Sequence, residues 1–185
     1  MNITVYCGAF VGDNPNYEEE ARKLGTWIGA AGHTLVWGAG GTGLMGAVSS
    51  AAQESHAQLH GVIPDFLKTV EQVLPGTYEL DVYETMAQRR LRMIELGDAF
   101  VALPGGPGTL EELSEVFSLI KLDKLDAPLI LMNVDGYYDA LLRAVDTMVE
   151  HQFLLPEIRA RLFAAEDAAG VIQLLHRTCR GCAYC

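Results

Sequence analysis

Positive charge is scarce in this sequence. Its 13 lysines and arginines stand against 24 aspartates and glutamates, a net charge of −11 at neutral pH. Such a field repels a polyanion, whose binding rests on basic side chains that neutralise phosphates, and excludes a DNA or RNA strand as partner. Long apolar runs are missing too: none approaches the ~18 residues of a membrane-spanning helix. The opening Met1-Asn2-Ile3-Thr4-Val5-Tyr6 lacks the basic start and apolar stretch of a signal peptide and reads as a strand that begins at once. A cytoplasmic protein with no membrane partner is the expectation. The 4 cysteines are too few for a disulfide scaffold of this length. Cys7 closes the first strand, while Cys179, Cys182 and Cys185 form a C-x2-C-x2-C tail with no fourth ligand. A reduced tail is the simpler reading than a zinc or iron–sulfur site, and no metal is assigned. Residues 179–185 are set apart on this ground from a domain spanning residues 1–178.

What is plentiful is apolar and small. Half of the 185 residues are hydrophobic and 19 are glycine, enough for one α/β domain with a substantial core. Apolar runs of strand length (Ile3–Cys7, Thr34–Trp37, Leu59–Ile63, Tyr78–Tyr83, Ala99–Leu103, Leu129–Met132) alternate with helical periodicity (14–31, 44–54, 85–96, 110–121 and 138–151). Two further helical segments, 156–163 and 167–177, are expected at the end. Uniformly apolar strands that alternate with helices predict a single-domain, Rossmann-like, doubly wound parallel sheet with helices on both faces. Ligands of such sheets sit outside the carboxyl ends of the strands.

Two glycine-rich loops fall at that edge. Gly38-Ala39-Gly40-Gly41-Thr42-Gly43 is a G-x-G-x-x-G between a strand and a helix, where Gly40 and Gly43 would let a phosphate approach the helix N-terminus. An NAD site, a mononucleotide or phosphosugar site and a tight structural turn are all compatible with it. The acidic residue that a dinucleotide would need comes only at Asp65, after Pro64 redirects the chain. Pro104-Gly105-Gly106-Pro107-Gly108-Thr109-Leu110-Glu111-Glu112 is the stronger signal, since glycines just before a helix leave backbone N–H groups open to an anion. Thr109-x-x-Glu112 also reads as a capping box. A third feature, Arg89-Arg90-x-Arg92, places cations near a helix start, against the dipole, and calls for an anionic ligand or acidic neighbours such as Glu84 and Glu95. Other chemistries find no support. Ser49 and Ser50 lack a G-x-S-x-G elbow, the five histidines lie outside these motifs, and no lysine has a setting that suggests a Schiff base.

Taken together, Pro104-Gly105-Gly106-x-Gly108-Thr109-x-x-Glu112 with Met86-x-x-Arg89-Arg90 upstream resembles the Lonely Guy family. That family comprises the cytokinin riboside 5′-monophosphate phosphoribohydrolases, some formerly labelled lysine decarboxylases. The similarity extends to Val5-Tyr6-Cys7-Gly8, Gly40-x-x-Gly43-Leu44-Met45-Gly46, Gly61-Val62-Ile63-Pro64 and Asp98-Ala99-Phe100-Val101-Ala102-Leu103. It implies a homodimer with no redox cofactor that hydrolyses the N-glycosidic bond of a nucleoside 5′-monophosphate to free base and ribose 5-phosphate. It implies Arg89 and Glu112 as catalytic residues, and Glu71, Arg90, Gly105, Gly106, Pro107, Gly108, Thr109, Leu110, Glu111 and Ser118 at the substrate, beside Gly40 and Gly43 of the first loop. The sequence departs from the family at Ala87, where histidine is usual, at Pro107 inside the loop, at Ala9-Phe10, where small hydroxyl residues are common, and after Ser118, where a tryptophan is missing. Two rivals share the motifs or the fold: a general AMP or purine nucleotide nucleosidase, and a non-catalytic nucleotide or molybdenum-cofactor carrier.

Overall fold

The computed structural model describes residues 1–69 and 72–178. The strands are β1 (Asn2–Tyr6), β2 (Thr34–Trp37), β3 (Gln58–Pro64), β4 (Glu79–Tyr83), β5 (Ala99–Ala102), β6 (Leu129–Met132) and β7 (Leu162–Ala165). The helices are α1 (Pro15–Ala30), α2 (Gly43–Glu54), α3 (Met86–Leu96), α4 (Pro107–Lys121), α5 (Asp139–Glu150), α6 (Pro156–Arg159) and α7 (Ala168–Thr178). All seven strands join one sheet in the order β4-β3-β2-β1-β5-β6-β7, and every pairing is parallel. The doubly wound sheet expected from the sequence is therefore present. Its order reverses between β1 and β5, the position where such sheets open a crevice at their carboxyl edge.

Strand alternation divides the core in two. Ile3, Val5, Leu35, Trp37, Val101, Ile130 and Met132 face α1, α2 and α7, packing on Leu24, Ile28, Val48 and Val171. Tyr6, Val36, Phe100, Ala102, Leu129 and Leu131 face the other way, onto Met93 and Ile94 of α3, Leu113, Val116 and Ile120 of α4, and Val145 of α5. Thr4, the one polar strand residue on that second face that is fully buried among the described residues, donates its hydroxyl to the Met93 carbonyl (3.0 Å), so its burial carries no unpaired group. No helix among the described residues is long and apolar enough to cross a membrane.

Two expectations are corrected. The stretch 156–163 is not one helix: α6 stops at Arg159, and Leu162–Ala165 pairs with β6 as a seventh strand. The run Leu162-Phe163-Ala164-Ala165 is short and rich in alanine, so its local preference is helical. The vacant edge of β6 overrides that preference. The second correction lies at α4, which starts at Pro107 rather than Leu110. Gly106 is its N-cap residue, and Thr109 lies inside the first turn, so Thr109-x-x-Glu112 is no capping box. The capping box belongs to α3 instead, where Thr85 and Gln88 exchange hydrogen bonds. The cysteines 179, 182 and 185 lie outside the described residues.

Candidate active site

A cleft of about 470 Å³ opens at the carboxyl ends of β1 and β5. Gly8 stitches its floor: its N–H donates to the Pro104 carbonyl (3.0 Å), and its own carbonyl accepts from the N–H groups of Leu44 (3.1 Å) and Met45 (3.3 Å) at the start of α2. The N-terminus of α2 is thus occupied by its own chain. Gly43, at φ +60, backs onto Ala9, where a Cβ would stand 2.2 Å from the carbonyl carbon. Gly40 gives its carbonyl to the Trp37 indole (3.1 Å) and bridges to Val73. Neither Gly40 nor Gly43 lines the cleft. Of the readings open for the first glycine loop, the tight structural turn is the one these contacts describe.

The second loop behaves differently. Pro107 occupies the first helical position of α4, where its missing N–H forfeits no helical bond. The amides of Gly108 and Thr109 follow in the same turn, where a helix supplies no partner and the dipole end is positive. A Cβ at Gly105 would meet Thr109 Oγ1 at 2.2 Å and the Gly8 nitrogen at 2.9 Å, so packing demands glycine there. At Gly106 and Gly108 a Cβ would meet nothing within 4 Å. The chain's own packing gives no reason for glycine at those two positions, which face open space.

Behind this turn lie Arg89 and Glu112, 8% and 6% exposed. Arg89 Nη1 donates to Glu112 Oε1 (2.6 Å) and its Nε to the Val62 carbonyl (3.1 Å). Gly38 makes room for that guanidinium: a Cβ there would stand 2.1 Å from Arg89 Nη2. Burial pushes the Glu112 carboxyl above the ordinary glutamate range, with Arg89 pulling it back. A carboxylate raised in this way, within reach of solvent in a cleft, is suited to accept a proton. The wall beyond is apolar, formed by Leu44, Met45, Leu67 and Met86, with the 84% exposed Phe10 at the rim.

Residues 45–175 match the family model described as "possible lysine decarboxylase". A protein of Arabidopsis thaliana named cytokinin riboside 5′-monophosphate phosphoribohydrolase is 39% identical over 173 residues, which cover 94% of this chain and 81% of the relative. A protein of the same name from Rhodococcoides fascians is 38% identical over 172 residues, covering 92% and 87%. The chain belongs to the Lonely Guy family. The Lonely Guy fold is shared more widely at low identity. A molybdenum cofactor carrier protein from Chlamydomonas reinhardtii matches with a TM-score of 0.73 at 19% identity over 98% of both chains. A molybdenum cofactor binding protein from Rippkaea orientalis matches at 0.68 and 21%, over 95% and 94%.

Of the positions that the Lonely Guy motif singles out, Arg89, Gly105, Gly106, Gly108, Thr109 and Glu112 converge on the cleft. The others among the described residues do not line it. Arg90 is bound to Glu111 (2.9 Å) and Glu115 (2.7 Å), an ion-pair bridge from α3 to α4, and Arg92 pairs with Asp81 (2.7 Å) and Glu95 (3.5 Å). Acidic neighbours outside the cleft therefore answer Arg90 and Arg92, although Glu84 is not among the partners. Leu110 and Ser118 point outward on α4, Pro107 lies outside the lining, and Glu71 lies outside the described residues. The cleft residues missed include the polar side chains of Asp13, Tyr17 and Tyr137, the last of which follows the Asp135-Gly136 turn after β6. Paired tyrosines directly after a turn at the carboxyl end of a strand are the signal that points to it.

Proposed function

We propose that this protein hydrolyses the N-glycosidic bond of nucleoside 5′-monophosphates and that its preferred class is N6-substituted AMP, the cytokinin riboside 5′-monophosphates. The names of relatives about 39% identical over nearly the whole chain support this reading. The observation that carries it is a buried guanidinium–carboxylate pair set directly behind an unobstructed helix N-terminus. The phosphate docks on the amides of Gly108 and Thr109, which fixes the ribose over Glu112. The C1′–N9 bond then breaks with its electron pair moving to the base, and positive charge develops on the sugar. Glu112 stabilises that charge and takes the proton of the water that adds to C1′, while the leaving base takes up a proton. Arg89 holds Glu112 in place. The products are free base and ribose 5-phosphate. No lysine lines the cleft among the described residues, so the label of the family model finds no amine there to carry a decarboxylation.

A chromatographic assay for released base, run on isopentenyladenosine monophosphate and AMP in parallel, tests the proposal. A preference of tenfold or more for the prenylated nucleotide is expected, because each methylene added to an apolar contact contributes about 0.8 kcal/mol and the wall beyond Glu112 is apolar. Equal or faster cleavage of AMP would make the protein a general nucleotide nucleosidase. Release from neither would leave the carrier reading.

We also place the protein in the cytoplasm as a homodimer. The buried free thiol of Cys7 suits a reducing compartment. Leu91 and Leu110 are left 53% and 47% exposed on α3 and α4, the helices that carry Arg89 and Glu112, and a partner subunit would cover them. Light scattering should return twice the chain mass of 20.1 kDa; a monomer at micromolar concentration would refute the dimer.

A further inference from the structure

An anion can sit on a glycine turn only if the turn's carbonyl oxygens are turned away or neutralised, because each carries a negative partial charge of its own. In this protein the carbonyls of three successive residues leading into α4 are all engaged. The Leu103 carbonyl accepts from the Tyr138 hydroxyl, the Pro104 carbonyl from the Gly8 N–H, and the Gly105 carbonyl from the Tyr137 hydroxyl. Two of these donors are adjacent phenols on the loop after β6, a segment that supplies neither Arg89 nor Glu112 nor the glycines. We infer that Tyr137 and Tyr138 are positioning residues that hold the 103–105 backbone with its carbonyls withdrawn, so that a 5′-phosphate meets only amides. The inference rests on the proposed phosphate site.

The loop is built to keep the two phenols in place. Asn133 Oδ1 accepts the Tyr138 N–H (2.6 Å), and its Nδ2 donates to Asp139 (2.8 Å). Asp135, at φ 49, accepts from Asn14 (2.7 Å) and Asn16 (2.8 Å) at the start of α1. The Tyr137 ring stands edge-on to Tyr17 (5.6 Å) and to Tyr138 (4.9 Å). The loop is thus tied to α1 on one side and reaches the turn on the other. Burial pushes the Tyr138 phenol well above its ordinary range, which keeps it protonated and able to donate. Tyr137 is 40% exposed and also lines the cleft, so its ring can stay packed when the hydroxyl is removed.

The test is Tyr137→Phe, with ribose 5-phosphate and the unphosphorylated nucleoside titrated separately by calorimetry and steady-state kinetics on the nucleotide. Loss of one hydrogen bond to the turn is expected to weaken ribose 5-phosphate binding about three- to tenfold. KM for the nucleotide should rise by the same factor at unchanged kcat, and nucleoside affinity should hold. Tyr138→Phe, if it folds, should show the same selective loss. Equal weakening of both ligands, or of neither, would overturn the inference. Because binding is read without turnover, a wild-type protein that cleaves nothing yet binds ribose 5-phosphate through Tyr137 would refute the proposed reaction and leave this assignment standing.

Discussion

Glu112→Gln should reduce kcat for nucleotide cleavage by about three orders of magnitude while KM changes by no more than a few-fold. The substitution keeps the shape and one acceptor for Arg89. In the proposed mechanism it removes the negative charge that faces the developing sugar cation and the base that takes the proton from water, each of which supplies about 10²–10³ in comparable sites. A loss confined to kcat identifies an interaction made only in the transition state. The same variant has a signature in stability. Burial raises the Glu112 carboxyl in the folded protein, so across the window between the ordinary glutamate value and the raised one the folded state keeps a proton that the unfolded chain releases. Stability therefore falls as pH rises through that window, and Glu112→Gln should flatten that part of the melting profile. Turnover near the wild-type value would remove Glu112 from the mechanism.

Arg89→Ala is expected to be as damaging to turnover, and it should also destabilise the fold. The change leaves Glu112 buried without its countercharge and the Val62 carbonyl without its donor. Removing one member of a buried pair costs about 3–5 kcal/mol, which in a chain of 185 residues corresponds to a drop in Tm of about 10 °C. Without the guanidinium the Glu112 carboxyl rises further, so the deficit should be greatest at neutral pH and shrink on acidification as the carboxyl is protonated. The double variant Arg89→Ala/Glu112→Gln should regain part of the lost stability, because it removes the stranded charge, and the cycle gives the coupling directly. Additive losses in the cycle would show that the two side chains act independently.

Much of this architecture is legible from the residues. Strands apolar on both faces, such as Ile3–Tyr6 and Ala99–Ala102, can only lie inside a sheet covered by helices on both sides, and the two cores take alternate residues of each strand as that requires. The glycine turn before α4 is legible because Gly106 and Gly108 have no packing role to hide behind. The remainder depends on partners distant in the chain. At Gly38–Gly43 the amides of Leu44 and Met45 that open α2 donate to the carbonyl of Gly8, a partner remote in sequence that no local pattern announces. Which of Arg89, Arg90 and Arg92 enters the cleft was settled by the carboxylates of Glu111, Glu115, Asp81 and Glu95 on neighbouring elements. Leu162–Ala165 became a strand because β6 offered an edge. Tyr137 and Tyr138 show in the sequence only as a pair after a turn, and tertiary structure sets their hydroxyls against Gly105 and Leu103.

The peptide unit at Gly8 has a mechanical consequence. It is bonded to Pro104 on one side of the switch point and to the first turn of α2 on the other, so the two halves of the sheet cannot swing apart at this seam without rupturing bonds at the cleft floor. Breathing motions that admit a bulkier base must therefore come from the rim, where the 9–13 segment turns at Gly12 with its φ of +80 and holds Phe10 clear of the body. Tolerance of substrate size becomes a trait of a few rim residues, open to change by drift in that short stretch while the reacting centre beneath stays rigid.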